Sequence, residues 1–272
     1  MLAPAKINLD LAIVGRRPDG YHELDSTVVF AALGDQLTLA EGAPGLAIDG
    51  PVAQDVTPTR DNLVLRAADA IANRAGRVID CGFRLTKNLP VGAGIGGGSS
   101  DAATAILLLA ERWRLDLGEL SEVGLSLGAD IPVCLSRRAA RMRGIGEKVE
   151  PLNQAQRAQL AGRPVLLLNP LEPLETKAVF AAYAAMGGQS SVSNEGQGPR
   201  PNDLLGPALH HCPAIGQILS ALEGAPSVRD FGMSGSGPTC FALFDRIADC
   251  QTTARDIACA YPEWWVRSSH LI

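Results

Sequence analysis

Apolar and polar positions alternate with a period of two near the start of the chain. Ile7, Leu9, Leu11 and Ile13 are separated by Asn8, Asp10 and Ala12, the pattern of a half-buried strand. Arg16-Arg17-Pro18-Asp19-Gly20 then carries turn chemistry. A second strand is predicted over about 22–32 and a third over about 36–40, so the chain opens as an antiparallel meander. Asp61 and Asn62 can cap a helix reaching about residue 75, with Leu63, Ala67, Ala70 and Ile71 on one face. A short strand over 82–87 leads into a glycine-rich loop. Helices are predicted over about 99–114 and 118–127, and strands and turns around Gly144 and Gly146. The run Pro164-Val165-Leu166-Leu167-Leu168 reads as a buried strand entering a new unit. A boundary near residue 155 therefore divides the chain into 1–155 and 156–272. The polar stretch 187–202 is a loop, expected to be mobile. Beyond it come a helix over 213–222, strands over 228–231 and 239–243, a helix over 248–260 and a strand over 264–268, an α+β layout.

Composition narrows the class. Apolar residues make up 46% and charged residues 19% of 272, enough to bury a core and too apolar for general disorder. No apolar run approaches the ~20 residues of a membrane span, and the first residues lack the basic-then-apolar order of a secretory leader. A net charge of −5 argues against a nucleic-acid partner. Six cysteines occur without a C-x-x-C pair, which reads as reduced thiols in a cytoplasmic protein without structural zinc.

The most specific segment is Pro90-Val91-Gly92-Ala93-Gly94-Ile95-Gly96-Gly97-Gly98-Ser99-Ser100, five glycines in seven residues before an apolar helix. Glycine lets the backbone approach a ligand and adopt positive φ. The N-terminus of the following helix adds partial positive charge, so the segment suits a polyphosphate. Ser99 and Ser100 can cap the helix, and either hydroxyl can reach a phosphate or Mg²⁺. Gly92, Gly94 and Gly97 formally satisfy G-x-G-x-x-G, but Pro90 interrupts the strand that a dinucleotide site requires. A Walker loop needs Gly-Lys, which the chain lacks. A packing turn without ligand is the remaining alternative.

The loop resembles the ATP loop of the superfamily containing galactokinase, homoserine kinase, mevalonate kinase and phosphomevalonate kinase (GHMP). Four further segments are most similar to its 4-diphosphocytidyl-2-C-methyl-D-erythritol kinase family. They are Pro4-Ala5-Lys6-Ile7-Asn8-Leu9, Asp19-Gly20-Tyr21-His22-Glu23-Leu24, Leu127-Gly128-Ala129-Asp130-Ile131-Pro132-Val133 and Gly232-Met233-Ser234-Gly235-Ser236-Gly237-Pro238-Thr239. The resemblance implies a two-domain α+β fold, with an N-terminal half like the second domain of ribosomal protein S5, a ferredoxin-like C-terminal half, and the active site between them. The expected activity is transfer of phosphate from ATP, with Mg²⁺, to the 2-hydroxyl of the cytidyl substrate, a step of the non-mevalonate isoprenoid pathway.

By residue chemistry alone, Asp130 before Ile131-Pro132 is either a helix cap or a general base, and Lys6 is either a solvated edge residue or part of a site. The resemblance implies that Asp130 is the general base and that Lys6 faces it, stabilising charge on the transferring phosphoryl group. It further implies that Tyr21 stacks on cytosine with Phe180 opposite, and that His22 bonds the base edge. Asn8 would contact the methylerythritol moiety, Thr176 would line that pocket, and Gly235 and Ser236 would close near the diphosphate. Asn62 and Lys87 would lie near adenine, or be a helix cap and an exposed lysine. Arg143 would touch a substrate phosphate or sit on the surface. The Mg²⁺ ligands stay open, and a monomer or weak homodimer is expected. The alternatives are another kinase of the superfamily, of homoserine or mevalonate type, or a nucleotide-binding protein without catalysis.

Overall fold

A computed structural model of the protein describes residues 1–116, 120–188 and 198–272. The expected loop over 187–202 lies mostly outside these residues. Strands β1 (Leu2–Asn8), β2 (Ala12–Arg16), β3 (His22–Glu41) and β4 (Leu46–Asp49) are followed by helix α1 (Leu63–Ala75) and strand β5 (Cys81–Thr86). Next come α2 (Gly97–Trp113), α3 (Leu120–Leu127), α4 (Ile131–Ser136), β6 (Ala140–Gly144) and β7 (Lys148–Pro151). The rest of the chain forms α5 (Gln154–Leu160), β8 (Pro164–Asn169), α6 (Thr176–Ala185), α7 (Leu205–His211), α8 (Ala214–Glu223), β9 (Asp230–Met233), β10 (Cys240–Leu243), α9 (Ile247–Ala260) and β11 (Trp265–His270). The architecture is α+β.

The expected second and third strands are one long strand. β3 runs unbroken through Gly34-Asp35 and pairs with β1, β2, β5 and β6. Two features remove the expected break. A Cβ on Gly34 would lie 2.0 Å from the Ala3 carbonyl oxygen, so glycine is what allows β1 to pair there. Asp35 turns fully inward and finds charged and backbone partners. The expected gap between residues 32 and 36 is therefore bridged by a glycine and a buried charged residue.

The second sheet, ordered β11-β8-β10-β9, is antiparallel throughout. Helices α1 and α2 cover the first sheet, packing Val64, Ala67, Ile71, Ile106 and Leu109 against Val28, Phe30 and Phe83. α6, α7 and α8 pack against the second sheet through Val179, Ala208 and Ile218. A third core belongs to both sheets: Ile7, Leu9, Leu89 and Ile95 pack with Val165, Leu167, Phe241 and Trp265. The end of the chain returns to the first sheet, with Ile272 N donating to Phe30 O at 2.9 Å. Burial of this seam holds the two sheets in one register, and the glycine-rich loop lies along it.

Candidate active site

A cavity of about 890 Å³ opens between the two halves. Its wall begins at β1. Lys6 and Asn8 fall on the same face of that strand because side chains alternate. Lys6 Nζ donates to Asp130 Oδ2 at 2.9 Å. The lysine side chain is 5% exposed and the aspartate 35%, so the pair is buried on one side and open to the cavity on the other. Asp130 stands at the N-cap of α4, yet its side chain makes no capping bond. The capping alternative is thus not what this carboxylate does. Pro132 supplies the helix start, and Asp130 is left free to meet Lys6.

The glycine-rich loop is held by its carbonyls. Ile95 O accepts from Lys6 N at 2.9 Å and Ala93 O from Thr239 N at 3.2 Å. Gly94 O accepts from Ser234 Oγ at 3.0 Å, and Ser234 Oγ in turn accepts from Asn8 N at 3.0 Å. Gly94 has φ +71°, and a Cβ there would meet Gly237 O at 2.5 Å. This close approach of two backbones is why glycine is required. Asn202 steadies the facing turn by donating to Met233 O and Gly235 O, both at 2.9 Å.

The expected cap of α2 is corrected. Gly96, at φ +63°, is the N-cap, with no side-chain bond, and both serines lie inside the first turn. No hydroxyl therefore competes for the first N–H groups of α2, which leaves them to an anion. Ser99 lines the cavity together with Pro90, Val91, Gly92, Ala93, Gly94, Gly96, Gly97 and Gly98. Ile95 and Ser100 do not: Ile95 is in the shared core and Ser100 is buried. The helical period turns the residue after Ser99 away from the opening.

Asn62 and Lys87 line the cavity, each with a structural partner. Asn62 caps α1 by accepting from Val64 N at 3.0 Å. Lys87 is not the exposed lysine of the alternative reading. Its ammonium lies 2.5 Å from Asp35 Oδ2 and 3.0 Å from Asp101 Oδ2, with all three residues buried. Burial opposes the Lys87 charge, but the two carboxylates outweigh it and lift its pKa above the ordinary value. Burial raises Asp101 to about 7, with Lys87 acting against the shift and Asp35 adding to it. Asp35 Oδ1 also accepts from Asn88 N and Leu89 N at 2.6 and 2.9 Å. The cluster rivets the approach to the glycine-rich loop onto β3.

At the far end the expected aromatic pair is rearranged. Phe180 stacks on His22, with ring centroids 5.1 Å apart and 24° between planes, and Tyr183 meets His22 edge-on. Tyr21 is 62% exposed at the rim. The two residues that would enclose a base therefore do not face each other across an empty slot, because the imidazole already covers Phe180. His22 is held below its ordinary pKa by burial and then by Arg16. Thr176 and Ser236 hydroxyls are 2.9 Å apart, joining α6 to the turn that carries Gly235. Arg16 and Lys177 also line the cavity, single cations with no motif to announce them. Arg143 pairs with Glu150 at 2.8 Å and with Asp25 at 3.4 Å and does not line the cavity, so the surface reading holds.

The described residues contain no group of three His, Cys, Asp or Glu side chains able to hold a metal. None of the described helices is long and apolar enough to cross a membrane.

One cleft thus combines a glycine-rich backbone cradle with a lysine–aspartate pair, the parts that phosphoryl transfer to a small alcohol needs. The chain matches the family described as "GHMP kinases N terminal domain" over residues 62–138 and "GHMP kinases C terminal" over residues 201–265. It is 43% identical to a 4-diphosphocytidyl-2-C-methyl-D-erythritol kinase of Rhodopseudomonas palustris (strain BisB5), over 99% of this chain and 97% of that one. A crystal structure of 4-(cytidine 5'-diphospho)-2C-methyl-D-erythritol kinase superposes with a TM-score of 0.78 at 31% identity, covering 99% and 98% of the two chains. Methanococcus jannaschii mevalonate kinase shares the fold, with a TM-score of 0.68 at 11% identity and coverage of 100% and 98%. The chain belongs to the 4-diphosphocytidyl-2-C-methyl-D-erythritol kinase family of GHMP kinases.

Proposed function

We propose that the protein transfers the γ-phosphoryl group of ATP to the 2-hydroxyl of 4-diphosphocytidyl-2-C-methyl-D-erythritol, a step of non-mevalonate isoprenoid synthesis. The observation that carries the mechanism is the Lys6–Asp130 pair, 2.9 Å apart in the cavity that the glycine-rich loop also lines.

ATP lies with its phosphates along the backbone of 92–98 and the start of α2, and adenine lies toward Asn62 and Lys87. The acceptor hydroxyl meets Asp130, which takes its proton as the oxygen attacks the γ-phosphorus. The new bond joins that oxygen to phosphorus, the bond to the β-phosphate oxygen breaks, and ADP leaves. Lys6 orients Asp130 and offsets the negative charge on the moving phosphoryl group. Phosphoryl transfer asks mainly for alignment and charge neutralisation, and a rigid seam between two sheets supplies the first.

Mg²⁺ keeps several waters and binds through phosphates and one or two protein oxygens, and the donors present fit that habit. Among the described residues no acidic cluster would hold the ion alone, so the ATP phosphates and the Ser99 hydroxyl in the cavity wall would hold it jointly. When bound it neutralises phosphate charge.

The cytidyl end occupies the part lined by Tyr21, His22 and Phe180, with Arg16 and Lys177 as cations suited to the diphosphate. His22 has to swing from Phe180 for that ring to stack on cytosine. Residues 1–155 act as the ATP-binding and catalytic unit and 156–272 as the second domain. The protein works in the cytoplasm as a monomer or weak homodimer.

A coupled ADP-release assay with Mg·ATP tests the reading. Turnover is expected with the cytidyl acceptor and not with mevalonate or homoserine. Activity only with one of the latter would reject the acceptor, and ATP binding without turnover of any alcohol would reject catalysis.

A further inference from the structure

Asn8 is 1% exposed, yet its side-chain oxygen has no hydrogen-bond partner. Its side-chain nitrogen donates to Ser26 Oγ at 2.7 Å, and Ser26 Oγ donates to the Asp10 carbonyl at 2.5 Å. A backbone carbonyl can only accept, and a serine hydroxyl has one proton. That proton is therefore committed to Asp10. Ser26 can then only accept from Asn8, and the Asn8 atom that faces it has to be the NH₂. The orientation of this amide follows from the chain of donors, independent of how oxygen and nitrogen are told apart by shape. The remaining atom, Oδ1, turns toward Gly235, where a Cβ would lie 3.4 Å away. Asn8 and Gly235 both line the cavity beside Lys6 and Asp130.

We infer that Ser26, which the sequence does not single out, is a positioning residue for the acceptor substrate. It locks the Asn8 amide so that Oδ1 turns toward Gly235 in the cavity wall as a buried acceptor without a partner. A buried acceptor of this kind demands a donor from the ligand. The site therefore selects an acceptor molecule with a second hydroxyl beside the reacting one, and it rejects an analogue in which that hydroxyl is replaced by hydrogen or an ether. Ser26 itself, fully buried, touches no substrate. Its effect passes through Asn8. The inference rests on the proposed acceptor alcohol.

The test compares Ser26→Ala with Ser26→Thr, which keeps the hydroxyl. In steady-state assays Ser26→Ala is expected to raise the KM for the cytidyl acceptor by about tenfold, the scale of one hydrogen bond. The KM for ATP stays near the unmutated value, the melting temperature falls because the Asp10 carbonyl and the Asn8 NH₂ lose a buried partner, and Ser26→Thr restores both the acceptor KM and the melting temperature. An unchanged acceptor KM in Ser26→Ala, or a parallel rise in both KM values, would overturn the positioning role. If the unmutated protein turns over no cytidyl acceptor, it is the function that fails, and the amide orientation is read separately. In the ligand-free protein, NMR is expected to show the Asn8 NH₂ protons close to the Ser26 Hβ protons. Proximity to the Gly235 Hα protons instead would contradict the orientation.

Discussion

Lys6 and Asp130 meet at 2.9 Å although 124 residues separate them. The lysine comes from β1 of the first sheet and the aspartate from the turn before α4. What brings them together is α2, which contacts both β1 and α4. The pair therefore depends on the packing of the apolar helix that follows the glycine-rich loop.

Asp130→Asn keeps the shape of the side chain and removes its basicity. Turnover is expected to fall at least ~10²-fold, the usual size of a general-base effect. The melting temperature should fall modestly, because Asp130 makes no capping bond and the asparagine oxygen can still accept from Lys6, which loses only its charged partner at the cavity edge. Steady-state kinetics with both substrates, alongside a thermal melt, checks this. Near-normal turnover would remove Asp130 from the mechanism.

Gly94→Ala places a methyl 2.5 Å from Gly237 O at φ +71°. The left-handed conformation alone costs roughly 1–2 kcal/mol for a residue with a Cβ. The clash with backbone pushes the loop from the turn at 234–237, so ATP affinity should fall. Gly92→Ala, at φ +63° in open space, is expected to do less. Nucleotide titration calorimetry on both variants checks the order, and equal losses would contradict it.

Lys87→Met leaves Asp35 and Asp101 buried without their cation. Breaking a buried ion pair by removing one partner costs about 3–5 kcal/mol. Urea unfolding should show a loss on that scale at neutral pH. The loss should shrink as pH falls, because protonated carboxyls no longer need the lysine. A loss under about 1 kcal/mol, the range of a surface pair, would contradict the riveting role.

His22 titrates below its ordinary value of 6.5 because burial, and then Arg16, disfavour the imidazolium. The folded protein therefore binds this proton less readily than the unfolded chain. The stability it contributes is present above pH 6.5 and is lost as pH falls through that value toward the folded pKa. NMR of the ring should give a midpoint below 6.5 that rises in Arg16→Ala. A midpoint above 6.5 would contradict the stacked, half-enclosed ring.

Much of this was readable in the chain. The glycine spacing announced the loop that lines the cavity, and the resemblance named most of the residues that the fold gathers around it. What stayed hidden has physical causes. Helices α4, α5 and α7 are six or seven residues long, too short for periodicity to register. α6 has a weak apolar stripe, with Val179 and Tyr183 its buried residues. The strand expected to stop near residue 32 runs on through Asp35, because nothing local shows that Lys87, 52 residues on, will meet that carboxylate. Ser26 looked like any polar strand residue, and its role exists only in a three-residue chain of hydrogen bonds. The stacking of His22 on Phe180 joins β3 to α6, a contact that no spacing encodes.

The most direct measurement is phosphorus-31 NMR of the protein with Mg·ATP and the cytidyl acceptor. A new phosphomonoester signal should grow in step with ADP, and should be nearly absent with Asp130→Asn. ADP accompanied by inorganic phosphate without the ester, or an ester formed equally well by Asp130→Asn, would contradict phosphoryl transfer to the acceptor hydroxyl at the Lys6–Asp130 pair.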